Sequence, residues 1–172
     1  EFSAPGTFAL VDDIVGGGPW DLAPGQWTDD TSMALCLAES LCEMQGFNPK
    51  DQMDRYVKWY REGYMSSTGQ CFDVGGSVRD ALEWYEKTGT PFAGSTDPLT
   101  AGNGSLMRLA PAALYFAGND ESVDEFCAKS SRTTHGAVEC IDACRYFGAL
   151  LTGAVRGASK EQLLKPFFHS QQ

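Results

Sequence analysis

Apolar positions along this chain recur at steps of three and four, and hardly any stretch alternates with period two. Met33, Leu37, Leu41 and Met44 mark one face of a helix opening near Asp30 and ending at Gly46. Asn48-Pro49 supplies a cap and a first-turn proline for the next helix, which carries Met53, Tyr56, Val57 and Tyr60 on one face and stops near Gly63. Val78, Ala81, Leu82 and Tyr85 predict a helix over 77–88, with Gly89 after it. A buried helix is expected over 105–116, with Pro111 as a kink or restart. Asn119 or Asp120 caps a helix to about Ser131, and a long Ala- and Cys-rich helix follows over 134–156. Ser159 and Gln162 form a capping box for a last short helix. Residues 1–27 are broken by Gly and Pro, with a short extended segment expected over Phe8 to Val15. The class is all-α: a compact multi-helix bundle with long irregular loops.

At 172 residues, one domain over 1–172 is the natural reading. The net charge of −10 argues against a nucleic-acid binder, which needs a basic face. It leaves room for a small phosphorylated ligand met by metal ions or helix N-termini. No apolar run reaches membrane-spanning length. Cys36, Cys42, Cys71, Cys127, Cys140 and Cys144 include no Cys-x-x-Cys pair, so reduced, packed thiols of a cytoplasmic protein are expected rather than a zinc site.

The chemistry concentrates where loops meet helices. Thr28, Asp29 and Asp30 open the first helix. They serve either as an N-cap or as hard oxygen ligands for Mg²⁺, Mn²⁺ or Ca²⁺, and one cap needs only one such residue. Connections over 64–76 and 89–104 exceed the usual helix-to-helix length. Each leads to a helix start through small residues, Asp73-Val74-Gly75-Gly76 and Gly102-Asn103-Gly104-Ser105, where free N–H groups suit a phosphate, although glycine also makes ordinary turns. His135 stands near the start of the long helix, where a histidine is more often structural than catalytic. His169 lies in a polar tail and suggests nothing.

Four segments, in order along the chain, resemble the ADP-ribosylglycohydrolases. They are Gly25 to Met33, Cys71 to Gly75, Ala101 to Arg108 and Ser131 to His135. The resemblance implies an all-α fold and hydrolysis of the glycosidic bond between ADP-ribose and an acceptor side chain, arginine favoured. It implies a binuclear Mg²⁺ or Mn²⁺ centre, one side of it held by Thr28, Asp29 and Asp30, with Asp29 and Asp30 serving catalysis as well. Asp73, Gly75, Asn103, Gly104, Ser105 and His135 are expected to bind the substrate. Gly76 stands where relatives often carry Asn, which removes one polar contact.

The family begins with a helix carrying Gly-Asp-Ala-Leu-Gly, followed by a short segment ending in Glu-Phe, and closes with a Gly-x-Asp-x-Asp-Thr segment. Glu1-Phe2 matches the first ending, which makes Glu1 a candidate catalytic residue, and nothing matches the closing segment. The chain therefore reads as incomplete at both ends. Little hydrolase activity is expected from it alone, with self-association through the face of Met33, Leu37 and Leu41 or that of the helix over 136–156. The expected partner is an ADP-ribosylated protein or a small ADP-ribosyl compound. Two alternatives stand beside the hydrolase: a non-catalytic remnant that binds ADP-ribose, and an acidic helical module that meets a basic protein.

Overall fold

In the computed structural model, which describes residues 6, 7, 10–166 and 168, seven α-helices and no extended sheet form among the described residues. They are α1 (Asp29–Glu43), α2 (Pro49–Glu62), α3 (Gly76–Thr88), α4 (Ala110–Tyr115), α5 (Asp120–Arg132), α6 (Val138–Val155) and α7 (Lys160–Leu163). Short α4 sits against α1, α5 and α6, while α2 bridges α1 and α3. Met33, Cys36, Leu37, Met53, Tyr56, Leu82, Leu109, Ala112, Cys127 and Cys144 meet in one core. No helix among the described residues is long and apolar enough to cross a membrane. All six cysteines are free.

The caps follow local chemistry. Asn48 Oδ1 accepts from the Asp51 N–H with Pro49 at the first turn, Asn119 accepts from Ser122, and Ser159 and Gln162 make the reciprocal capping box. At the end of α1, Gly46 N–H reaches the Leu41 carbonyl and Gln45 N–H the Cys42 carbonyl, a Schellman closure. The left-handed residue there is Gln45, with φ of 52°, and not the glycine that the sequence suggests.

Other boundaries shift for physical reasons. Ser105–Arg108 makes a turn, and the helix starts at Ala110 with Pro111 in its first turn, where a missing N–H costs nothing. The long helix begins at Val138, so His135 lies in the turn between α5 and α6. Leu10–Val15 form no strand, and Phe8 and Ala9 lie outside the described residues. The face of Met33, Leu37 and Leu41 is wholly buried, so it offers nothing for self-association; α6 does expose Val138, Tyr146, Phe147 and Val155.

The two long loops are tied down. Trp27 Nε1–H donates to the Met65 carbonyl, Gln26 Nε2–H to the Ser67 carbonyl, and Ser67 Oγ to the Trp27 carbonyl. These bonds lash the first loop to the residues just before α1. In the second, Ser95 forms an isolated parallel bridge with His135, and Gly136 N–H donates to the Ser95 carbonyl at 2.9 Å. A Cβ at Gly136 would stand 2.5 Å from the Gly94 carbonyl oxygen, so glycine is what lets the two backbones meet.

Candidate functional site

Those tethers place the starts of α1 and α3, the Gly102–Gly104 loop and the α5–α6 turn around one cleft. Its volume is about 340 Å³, and Asp29, Asp30, Asp73, Gly75, Gly76, Ser77, Val78, Gly102, Asn103, Gly104, Met107 and His135 line it.

One wall is acidic. Thr28 occupies the N-cap of α1 but makes no side-chain cap, so the cap reading of this segment fails. Its hydroxyl lies 3.3 Å from Asp30 Oδ2 instead. Asp29 is buried, and its carboxyl is pushed up to about 7 by desolvation first, then by the charges of Asp30 and Asp73. Asp73 sits at φ of 59°, a left-handed conformation that Asp tolerates better than most residues. No salt bridge among the described residues engages Asp29, Asp30 or Asp73.

This donor set tests the metal expectation. Carboxylate and hydroxyl oxygens suit a hard divalent cation, and a carboxyl forced up by its neighbours is relieved by one. The residues present therefore fit one side of such a centre. Among the described residues no three His, Cys, Asp or Glu side chains converge closely enough to hold a metal ion unaided.

The rest of the lining is built from backbone and from neutral groups. Gly75 caps α3 without a side chain, so the first N–H groups of that helix have no intrahelical acceptor where Gly76, Ser77 and Val78 border the cleft. Ser77 Oγ donates to the Thr100 carbonyl and fixes the second loop beside them. At Gly104 an added Cβ would stand 2.8 Å from His135 Cε1 and 3.1 Å from Val78 Cγ2, so only glycine admits the imidazole here. Burial, then the nearby Arg108 charge, lowers the His135 pKa to about 4, so the ring is neutral at ordinary pH.

Arg108 is fully buried beneath this part of the lining. Its Nη1 donates to the Gly104 carbonyl at 3.0 Å, and its Nη2 to Ser130 O, Thr133 Oγ1 and Thr134 Oγ1. The guanidinium lies 4.9 Å from the Tyr56 ring centre. One side chain thus ties the Gly-Asn-Gly loop to the α5–α6 turn. Arg108 closes the Ala101–Arg108 motif, and its spacing there assigns it no role. The available signal was a lone charge between Met107 and Leu109 in a stretch read as buried, since a buried charge must be paired or hydrogen-bonded.

Of the residues singled out from sequence, Asp29, Asp30, Asp73, Gly75, Asn103, Gly104 and His135 line the cleft, and Thr28 adjoins Asp30. Ser105 does not line it. It is buried, accepting from Ser131 Oγ at 2.9 Å and facing the Cys144 thiol. Glu1 lies outside the described residues.

A family profile described as ADP-ribosylglycohydrolase matches residues 1–171. The chain belongs to the ADP-ribosylglycohydrolase family. Among curated relatives of this glycohydrolase-family chain, the ADP-ribosylarginine hydrolase Tri1 of Pseudomonas putida is 43% identical over 160 residues, covering 93% of this chain and 43% of the relative. The ADP-ribosyl-dinitrogen reductase glycohydrolase of Rhodospirillum rubrum is 31% identical over 84% of this chain and 46% of its own length. A solved structure titled as an ADP-ribosylglycohydrolase-related protein complex superposes with a TM-score of 0.78 at 50% identity, over 92% of this chain and 50% of that one. The all-α fold is thus the family fold, and the chain spans about half the length of the relatives it matches.

Proposed function

We propose that this chain carries the ADP-ribose cleft of a hydrolase that cleaves the bond between ADP-ribose and a protein arginine side chain. The observation that carries this reading is the meeting of Asp29, Asp30, Asp73, Asn103, Gly104 and His135 on one cleft. The arginine acceptor is favoured because relatives from Pseudomonas putida and Serratia proteamaculans are named ADP-ribosylarginine hydrolase.

Each wall suits one part of such a substrate. The first turn of α3 offers uncapped N–H groups at the positive end of a helix, which suits the diphosphate. His135 and Asn103 offer side-chain hydrogen bonds beside it. Thr28, Asp29 and Asp30 suit the ribose end, where they would hold Mg²⁺ or Mn²⁺ as one side of a binuclear centre. When bound, such a cation supplies Lewis-acid polarisation of the sugar and of water. Hydrolysis adds water to the anomeric carbon, breaks the carbon–nitrogen bond, and leaves ADP-ribose and a free guanidinium. Asp29 and Asp30 place negative charge where the sugar becomes cationic. Glu1 remains a candidate for handling the proton of the water. The free thiols suit a reducing compartment, and the cytoplasm is the compartment we assign.

Isothermal titration of the chain with ADP-ribose, with Mg²⁺ or with chelator, tests the cleft, and release of ADP-ribose from a modified arginine peptide tests the chemistry. Binding with turnover supports the hydrolase. Binding without turnover supports the non-catalytic ADP-ribose module for this chain. No binding in either condition overturns the reading.

A further inference from the structure

Arg108, Thr134 and His135 form a hydrogen-bonded chain that ends at the cleft. Arg108 Nη2 lies 2.7 Å from Thr134 Oγ1, and Thr134 Oγ1 lies 2.8 Å from His135 Nδ1. A guanidinium only donates, so Thr134 Oγ1 accepts from it. The threonine hydroxyl then has one hydrogen to place, and Thr134 is buried. If Nδ1 carried the ring proton, that hydroxyl hydrogen would face a donor and go unsatisfied, at the cost of a buried polar group without a partner. Thr134 donating to a bare Nδ1 satisfies both the hydroxyl and the ring nitrogen. The ring proton then sits on Nε2, on the edge of the ring that faces Gly102 and Gly104 in the cleft lining.

We propose that Arg108 and Thr134 are positioning residues that hold His135 in its Nε2–H tautomer, so that the cleft presents one fixed neutral donor to an oxygen acceptor of the ligand. The same guanidinium grips the Gly104 carbonyl at 3.0 Å, so donor and loop are set by one buried group. The ring stays uncharged because burial and the Arg108 charge both oppose protonation. The tautomer stands on the geometry alone. Its use toward ADP-ribose rests on the proposed function.

The test is long-range nitrogen–proton correlation of the His135 ring in the labelled chain, assigned against His169→Asn, paired with ADP-ribose titration. The wild-type ring is expected to carry its proton on Nε2 only. Thr134→Ser keeps that state, and Thr134→Val admits the Nδ1–H tautomer. His135→Gln places an amide donor near the Nε2 position and His135→Asn near Nδ1, so the glutamine variant should bind ADP-ribose about ten-fold more tightly than the asparagine one. A wild-type proton on Nδ1 overturns the proposal, as does a Thr134→Val ring identical to wild type or equal affinity of the two amide variants. Should Thr134→Val fail to fold, the wild-type and Thr134→Ser spectra still decide. Should ADP-ribose bind to none of the chains, the proposed function fails, and the spectra alone settle the tautomer.

Discussion

Two acidic clusters flank α1 and differ in one respect. Along its side, Glu39 and Asp51 share Arg55, with Asp51 Oδ2 2.7 Å from Arg55 Nε, and the Tyr64 hydroxyl also donates to Glu39. Burial pushes Asp51 up, yet the hydrogen bond and charge of Arg55 outweigh it, and its pKa is lowered overall. At the N-terminus, Asp29 is pushed up to about 7 by burial and two acidic neighbours, with no cation paired to it among the described residues. The first cluster is complete and holds α2 against α1. The second is incomplete, which destabilises the chain by itself, and such a cluster is where a site for a cation is expected.

Breaking the complete cluster should have the largest effect on stability. Arg55→Met leaves two half-buried carboxylates unpaired and should cost about 3 kcal/mol. Urea unfolding checks this, and ADP-ribose affinity should hold in the variant. A marked loss of affinity with little loss of stability would erase the distinction between the clusters.

The pH dependence separates the two walls of the cleft. His135 has a folded pKa near 4 against an ordinary value of 6.5, so the unfolded chain binds its proton first and stability falls as pH drops through that window. The loss should reach about 3 kcal/mol by pH 4. Asp29 acts in the opposite sense: its folded pKa lies above 3.8, so its contribution falls as pH rises from 3.8 to 7. Unfolding of Asp29→Asn across pH 4–8 removes the second effect and should leave a clean decline toward acid, which His135→Gln should abolish.

At pH 7.5 in chelator, Asp29→Asn should itself raise stability by about 1–2 kcal/mol, because the repelling charge is gone. The same variant should lose any stabilisation by Mg²⁺ or Mn²⁺. A loss of stability would mean that the carboxylate serves the fold. Far from both clusters, Gln45→Gly relieves a left-handed residue and should add about 0.5–1 kcal/mol at every pH, with or without metal. It calibrates the charge effects against one that has no charge in it.

The helices were legible in the sequence because their signals are local. Asn48-Pro49, Asn119 and the Ser159 capping box act within four residues, and Val78, Ala81, Leu82 and Tyr85 all bury as their spacing predicts. The seven cleft residues were legible by their place at loop-to-helix junctions together with the family resemblance. What stayed hidden is long-range. The Ser95–His135 bridge joins two loops, and nothing near His135 in sequence announces that it precedes α6. Besides the Gly104 carbonyl, Arg108 finds its partners 22 to 26 residues away, in one carbonyl and two hydroxyls that could each have bonded locally. Ser105 looked like a binding residue because it follows Gly104, yet the turn from Ser105 to Arg108 carries its side chain inward.

The central claim is that the carboxylates at the start of α1 are left uncompensated for a cation to bind. Carbon-detected titration of the Asp29 carboxyl, in chelator and again with saturating Mg²⁺, tests it most directly. The account predicts a midpoint near pH 7 in chelator and one moved well down into the ordinary carboxylate range or below it with Mg²⁺. A midpoint near 3.8 in chelator, or one that Mg²⁺ leaves in place, would contradict it.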